Sequence, residues 1–232
     1  MQRVTVEDVS SWSYRGLELF LLVPPVLSAL LGLGILVAAG ITMGSESAAT
    51  ASTGYGAGFL AFASGITIVW ILGIVLGVLS FFAVPIFLYL DAKKVADQDL
   101  DWKPEPVLYM VLGVVLSGFA VLHYLYKRHD YVVDWVGSET WWYVTLAGFG
   151  IAIVGLVGGV VNPVVWGLPL IALPMITTGI YKDSVYVRLN SDWHPNPVNH
   201  FLSALLSAIL VIPGILYFGY YVYKRHGALG IV

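Results

Sequence analysis

Two aspartates of this chain stand in matching settings, Asp91 in Tyr89-Leu90-Asp91 and Asp183 in Tyr181-Lys182-Asp183. A pair of carboxylates brought together inside a membrane divides its protons unequally, one group held neutral and one charged. That is the chemistry of an intramembrane acid dyad. Lysines adjoin both, Lys93 and Lys94 after the first and Lys182 before the second. Solvated ion pairing at two helix exits is therefore the simpler expectation. Two further aspartates open a repeated hexapeptide, DWKPEP at 101–106 and DWHPNP at 192–197. Asp101 and Asp192, with Asp91 and Asp183, are the acids from which a paired binding site would be built.

Histidine offers less. His123 lies near the end of an apolar run, and the expectation for it is a half-buried place at the membrane interface. His123 and His129 are six residues apart, as are His194 and His200. Ligands sharing a helical face are spaced by three or four, so neither pair has a chelating pattern. The chain has no cysteine, which removes disulfides, thiolate nucleophiles, cysteine-bound zinc and iron–sulfur clusters. No phosphate loop, nucleophile elbow or His-Glu zinc motif is present. Catalytic, cofactor-binding and metal-binding residues are not assigned, no cofactor is expected, and an enzyme is not the expected class.

The elements that hold these residues are membrane helices. Hydrophobic residues make up 59% of the 232 and charged ones 11%, against about 25% charged in soluble domains. Net charge is −3 with no basic block, so nucleic acid is not an expected partner. No cleavable signal pattern is seen, and the polar first 15 residues read as a chain inserted by its own first helix. A crossing needs about 20 apolar residues. The expected fold is all-α, a polytopic transmembrane bundle of six spans near 17–41, 57–90, 106–126, 141–161, 163–180 and 197–223, with five as the fallback. Pro24-Pro25, Pro85 and Pro213-Gly214 are expected to kink or interrupt their helices. Asn162-Pro163 is read as a tight turn. Tryptophans and tyrosines gather at the ends of the runs, as in an interfacial belt.

Three motifs recur in order. Tyr89-Leu90-Asp91 matches Tyr181-Lys182-Asp183. Asp101-Trp102-x-Pro104-x-Pro106 matches Asp192-Trp193-x-Pro195-x-Pro197. Tyr126-Lys127-Arg128-His129 matches Tyr223-Lys224-Arg225-His226. We read this as an internal duplication of helix–helix–loop–helix units. The halves are 1–130 and 131–232, within one membrane domain. In each copy the Asp-Trp is expected at a helix mouth, its carboxylate on the positive end of the dipole and its indole (Trp102, Trp193) at the interface. The prolines fix the first turn, and Arg128 and Arg225 are expected to anchor the helix end among headgroups. With three spans per unit the second copy is inverted, as in many secondary transporters. Basic residues arbitrate poorly: Arg3, Arg15, Lys93, Lys94, Lys103, Lys224 and Arg225 fall inside, against Lys127, Arg128, Lys182 and Arg188 outside. This weakly favours a cytoplasmic N-terminus.

Gly73-x-x-x-Gly77, Gly155-x-x-x-Gly159, Ser203/Ser207 and Ala204/Ala208 are small-residue packing signals, within the chain or between subunits. The combination YKD, SDWHPNP and YKRH resembles a C-terminal pattern in small multi-pass proteins of halophilic archaea, a group with no assigned activity. That resemblance implies an archaeal plasma membrane. The function expected is a scaffold, subunit or lipid- and partner-binding membrane protein without a catalytic site. The alternative is a small transporter or channel subunit of inverted three-helix repeats. Expected partners are membrane lipids and other copies of the chain or a larger membrane complex.

Overall fold

The computed structural model describes residues 4–5, 12–46, 51–133 and 138–230, with side chains detailed for most of them. It is all-helical. Among the described residues, eight α-helices follow in order: α1 Trp12–Glu46, α2 Ala51–Ala96, α3 Pro106–Leu116, α4 Gly118–Tyr131, α5 Thr140–Val161, α6 Gly167–Asn190, α7 Pro197–Ile209 and α8 Val211–Leu229. A 3₁₀ turn, Pro163–Trp166, precedes α6, and Val4–Thr5 pairs in parallel with Val132–Val133.

Among the described residues, four helices are long and apolar enough to cross a membrane, over Trp12–Ile41, Ala63–Ala96, Thr140–Val161 and Val164–Asn190. They coincide with the first, second, fourth and fifth expected spans. The 22 residues of α5 extend about 33 Å at 1.5 Å per residue, slightly more than the hydrocarbon core of a bilayer. The prolines inside α1, α2 and α6 do not end them. A backbone group freed by proline is tolerated in membrane helices where side chains and neighbours take it up. Pro174 of α6 frees the Leu170 carbonyl four residues before it, and Ser28 Oγ of α1 donates to that oxygen at 3.1 Å. The turn at Asn162-Pro163 forms as expected, with Asn162 Oδ1 accepting from the Val164 amide at 3.1 Å.

The third and sixth expected spans are not single helices. Residues 106–126 divide at Ser117, whose backbone sits at φ 33°, ψ −99°. Residues 197–223 divide at Leu210, just ahead of Pro213-Gly214. Each chain folds back on itself after the break. Tyr109 on α3 reaches His123 on α4 at 3.3 Å, and His200 on α7 reaches Tyr217 on α8 at 2.8 Å. On one straight helix, residues 14 apart in sequence would be about 21 Å apart. Each proline-led segment is thus a helical hairpin. The arms of the first have 11 and 14 residues, about 16 and 21 Å, too short to cross a bilayer.

The chain forms two compact units, drawn from both halves of the sequence. One comprises 1–23, 77–143 and 177–232; the other comprises 24–76 and 144–176. Each of the four long helices contributes a segment to each. The second unit is held by close helix approaches. Gly32 lies against the Gly167 carbonyl, where an added Cβ would come within 2.5 Å. Gly155 meets Pro169 and Gly159 meets Trp166, so that small-residue pair is an internal contact. Gly73 and Gly77 face open space instead. The first unit contains both hairpins. Its core gathers Leu17 of α1, Leu88 of α2, Val121 and Leu125 of α4, Tyr181 of α6 and Phe201 of α7.

Candidate functional site

The polar interior of the first unit consists of two clusters of the same composition. Tyrosine and arginine spaced by four lie on one face of a helix, one turn apart. α4 carries Tyr124 and Arg128 in this way, and α8 carries Tyr221 and Arg225. Each pair meets the aspartate at the end of the preceding long helix. Tyr124 donates to Asp91 Oδ2 at 2.7 Å and Arg128 Nε donates to the same oxygen at 2.8 Å. Tyr221 donates to Asp183 Oδ2 at 2.9 Å. Arg225 Nε lies 3.2 Å from Oδ1 and 3.0 Å from Oδ2. Asp91, Asp183, Tyr124, Tyr221 and Arg128 are fully enclosed, and Arg225 is 1% exposed.

Aromatic rings close both clusters. Trp102 packs on Tyr124 at 5.8 Å and Trp193 on Tyr221 at 5.6 Å. Tyr109 meets Tyr124 edge-on at 4.9 Å, and His200 meets Tyr221 edge-on at 5.2 Å. Both guanidinium groups lie over aromatic faces, Arg128 over Tyr14 at 3.7 Å and Arg225 over Trp142 at 4.5 Å. Tyr14 and Trp142 are each the third residue of their helix, α1 and α5. So the first helix of each half contributes in the same way, although their sequences show no visible match.

Several expectations are corrected here. Asp91 and Asp183 are not solvated beside lysines. They are dry, and arginines from more than 35 residues downstream neutralise them. Lys182 instead pairs with Glu18 at 2.5 Å. Arg128 and Arg225 are not headgroup anchors. Asp101 and Asp192 are exposed and cap no helix. The residue ahead of α3 is Glu105, with no capping bond from its side chain. The cap of α7 is Asn196, whose Oδ1 accepts from Val198 N at 3.1 Å. Trp102 and Trp193 pack onto the tyrosines. His123 is exposed and bonds to the Tyr109 hydroxyl.

Tyr124, Tyr221, Tyr14 and Trp142 read from the sequence only as members of an interfacial belt, and all four are buried. The first two were legible, because they stand four residues before the repeated arginines. The other two carry no shared motif.

Each carboxylate already accepts a tyrosine hydroxyl and an arginine N–H. Removing an ion pair from water costs several kcal/mol per charge, which the mutual attraction offsets only with such geometry. The arrangement therefore suits a clasp that holds a hairpin against its long helix. It exposes no carboxylate to a substrate or to water. No family model, curated protein or solved structure matches the chain.

Proposed function

We propose that the chain is a non-catalytic scaffold of the cell membrane, with four crossings and two re-entrant hairpins, that binds a partner helix along α2. The observation that carries the non-catalytic reading is the complete enclosure of Asp91 and Asp183. A transporter needs polar groups that water and cargo can reach within the membrane, and these acids are committed to internal bonds. The partner reading is supported by α2. Around the open Gly73, Val69, Trp70 and Ile74 line an apolar groove of about 360 Å³, and Trp70 is 68% exposed. A glycine between larger residues lets another membrane helix approach closely.

Topology follows from counting hairpins as returns. α1 and α2 form one pair of crossings and α5 and α6 another, so both Asp-Trp loops and both chain ends fall on one side. The repeat, on this reading, keeps its orientation in the two halves and is not inverted. Charge supports it: residues 24–76 and 144–176 contain no lysine or arginine, and all 11 basic residues lie in the remaining segments. The positive-inside rule then places that side in the cytoplasm.

Two measurements test the proposal. Single cysteines at Asp101 and Asp192 should be labelled from the same side by an impermeant maleimide; labelling from opposite sides overturns the four-crossing topology. Native mass spectrometry of the chain extracted in mild detergent should show a complex that Gly73→Leu dissociates. A monomer without bound protein would remove the scaffold reading.

A further inference from the structure

The two clusters differ one step outward from the tyrosine. On a helix, residues seven apart share a face. In the first hairpin, the residue seven after Tyr124 is Tyr131, the last of α4. Its ring stacks on Trp102 at 5.6 Å and 25°. In the second hairpin, the residue seven after Tyr221 is Ala228, still within α8. Trp193 meets Tyr221 and, edge-on at 5.5 Å, His200. Where the third ring would lie there is an open groove of about 490 Å³. Trp193 and Ala228 line it, with Asp192, Tyr223, Lys224 and His226.

We propose that this groove is a binding site for a hydroxyl-bearing aromatic ring from outside the chain, stacked on Trp193 as Tyr131 is stacked on Trp102. The inference rests on reading the two hairpins as copies of one unit. The first copy carries its own ring on the indole, whereas the second has a methyl group in its place. Indole faces favour offset contact with another ring. The surroundings suit a hydroxyl: Asp192 offers an acceptor, Lys224 a donor and His226 either, and all three are exposed. Lysine and carboxylate on one rim also disfavour a ligand of high net charge. Two sources present such a ring at this level: a tyrosine of a neighbouring polypeptide and the quinol headgroup of a membrane lipid.

The test uses the full chain in lipid nanodiscs, its eight tryptophans replaced by 5-fluorotryptophan, with the Trp193 resonance assigned through Trp193→Phe. Titration with 4-methylphenol should shift that resonance saturably, with a dissociation constant on the order of 1 mM, while 4-methylcyclohexanol leaves it in place. Ala228→Tyr should move the resonance without ligand and abolish the response. A Trp193 shift no larger than those of the other tryptophans, or one equalled by the cyclohexanol, overturns the site. If Ala228→Tyr covers Trp193 and the natural chain still ignores the phenol, the ring site alone falls and the pairing of the hairpins stands. If Ala228→Tyr leaves Trp193 unchanged, the pairing falls and takes the site with it. N-acetyltyrosinamide compared with a short-chain hydroquinone then identifies the source by the tighter binding.

Discussion

At Asp91, a tyrosine and an arginine converge on one carboxylate oxygen, and all three residues are sealed from solvent. At Asp183 the arginine spans both oxygens, and its other nitrogens reach outward. Arg225 Nη1 donates to the Gly230 carbonyl at 3.1 Å. Nη2 lies 3.6 Å from Glu139, a side chain 41% exposed. Tyr221 also shares a hydrogen bond with Ser184 at 3.2 Å. The same three residue types are enclosed in both places, and at Asp183 the arginine also reaches a partly exposed carboxylate. The margins differ as well: Tyr131 stacks on Trp102, whereas Ala228 brings only a methyl group to the groove beside Trp193. The two clusters thus share their residue types and differ at one margin, where Tyr131 stands in the first and Ala228 in the second.

The largest effect expected from this difference follows from deleting each acid. Asp91→Ala removes the carboxylate from an ion pair whose two side chains are both fully buried. Breaking a buried ion pair from one side costs about 3–5 kcal/mol. Asp183→Ala leaves Arg225 the Glu139 carboxylate and the Gly230 carbonyl, so the loss is nearer that of one charged hydrogen bond, about 1.5–3 kcal/mol. Unfolding of the full chain by SDS titration in mixed micelles should rank Asp91→Ala as the more damaging. Equal losses would show that the outer contacts of Arg225 contribute nothing.

The next effect sharpens what each clasp is for. A buried ion pair replaced as a whole by apolar residues is often neutral or stabilising. Asp91→Leu with Arg128→Met should therefore recover most of what Asp91→Leu alone loses. A coupling energy above about 1 kcal/mol is expected from the double-mutant cycle. For Asp183 and Arg225 the recovery should be incomplete, because Arg225→Met also gives up Glu139 and Gly230. A coupling near zero at Asp91 would mean that the two side chains act independently and that the clasp is not a unit.

Much of this was visible in the residues and some was not. Asp91, Asp183, Arg128 and Arg225 stand out because their motifs recur in order, and four of the expected spans became continuous helices. The hairpins were hidden because an apolar run of about 20 residues has the composition of a crossing whether it goes straight or turns back. Pro213-Gly214 was a visible warning in one run; Ser117 in the other was not. Six crossings divide the basic residues between two sides, seven against four, whereas the four-crossing topology proposed above collects them on one. Tyr14 and Trp142 stayed hidden because an aromatic at the start of a membrane helix also fits an interfacial belt.

The smallest effect concerns the two breaks. Ser117 takes a positive φ of 33°, which an L side chain adopts at a cost of about 1 kcal/mol or more and glycine adopts freely. Leu210 turns the second hairpin with an extended backbone, φ −118° and ψ 99°, which any residue accepts. Ser117→Gly should therefore stabilise the chain by about 0.5–1 kcal/mol, while Leu210→Gly should destabilise it by a similar amount through added freedom in the unfolded state. The SDS unfolding midpoints should move in opposite directions. If both fall, the Ser117 break carries no strain, and the two hairpins turn at equal cost despite their unlike backbones.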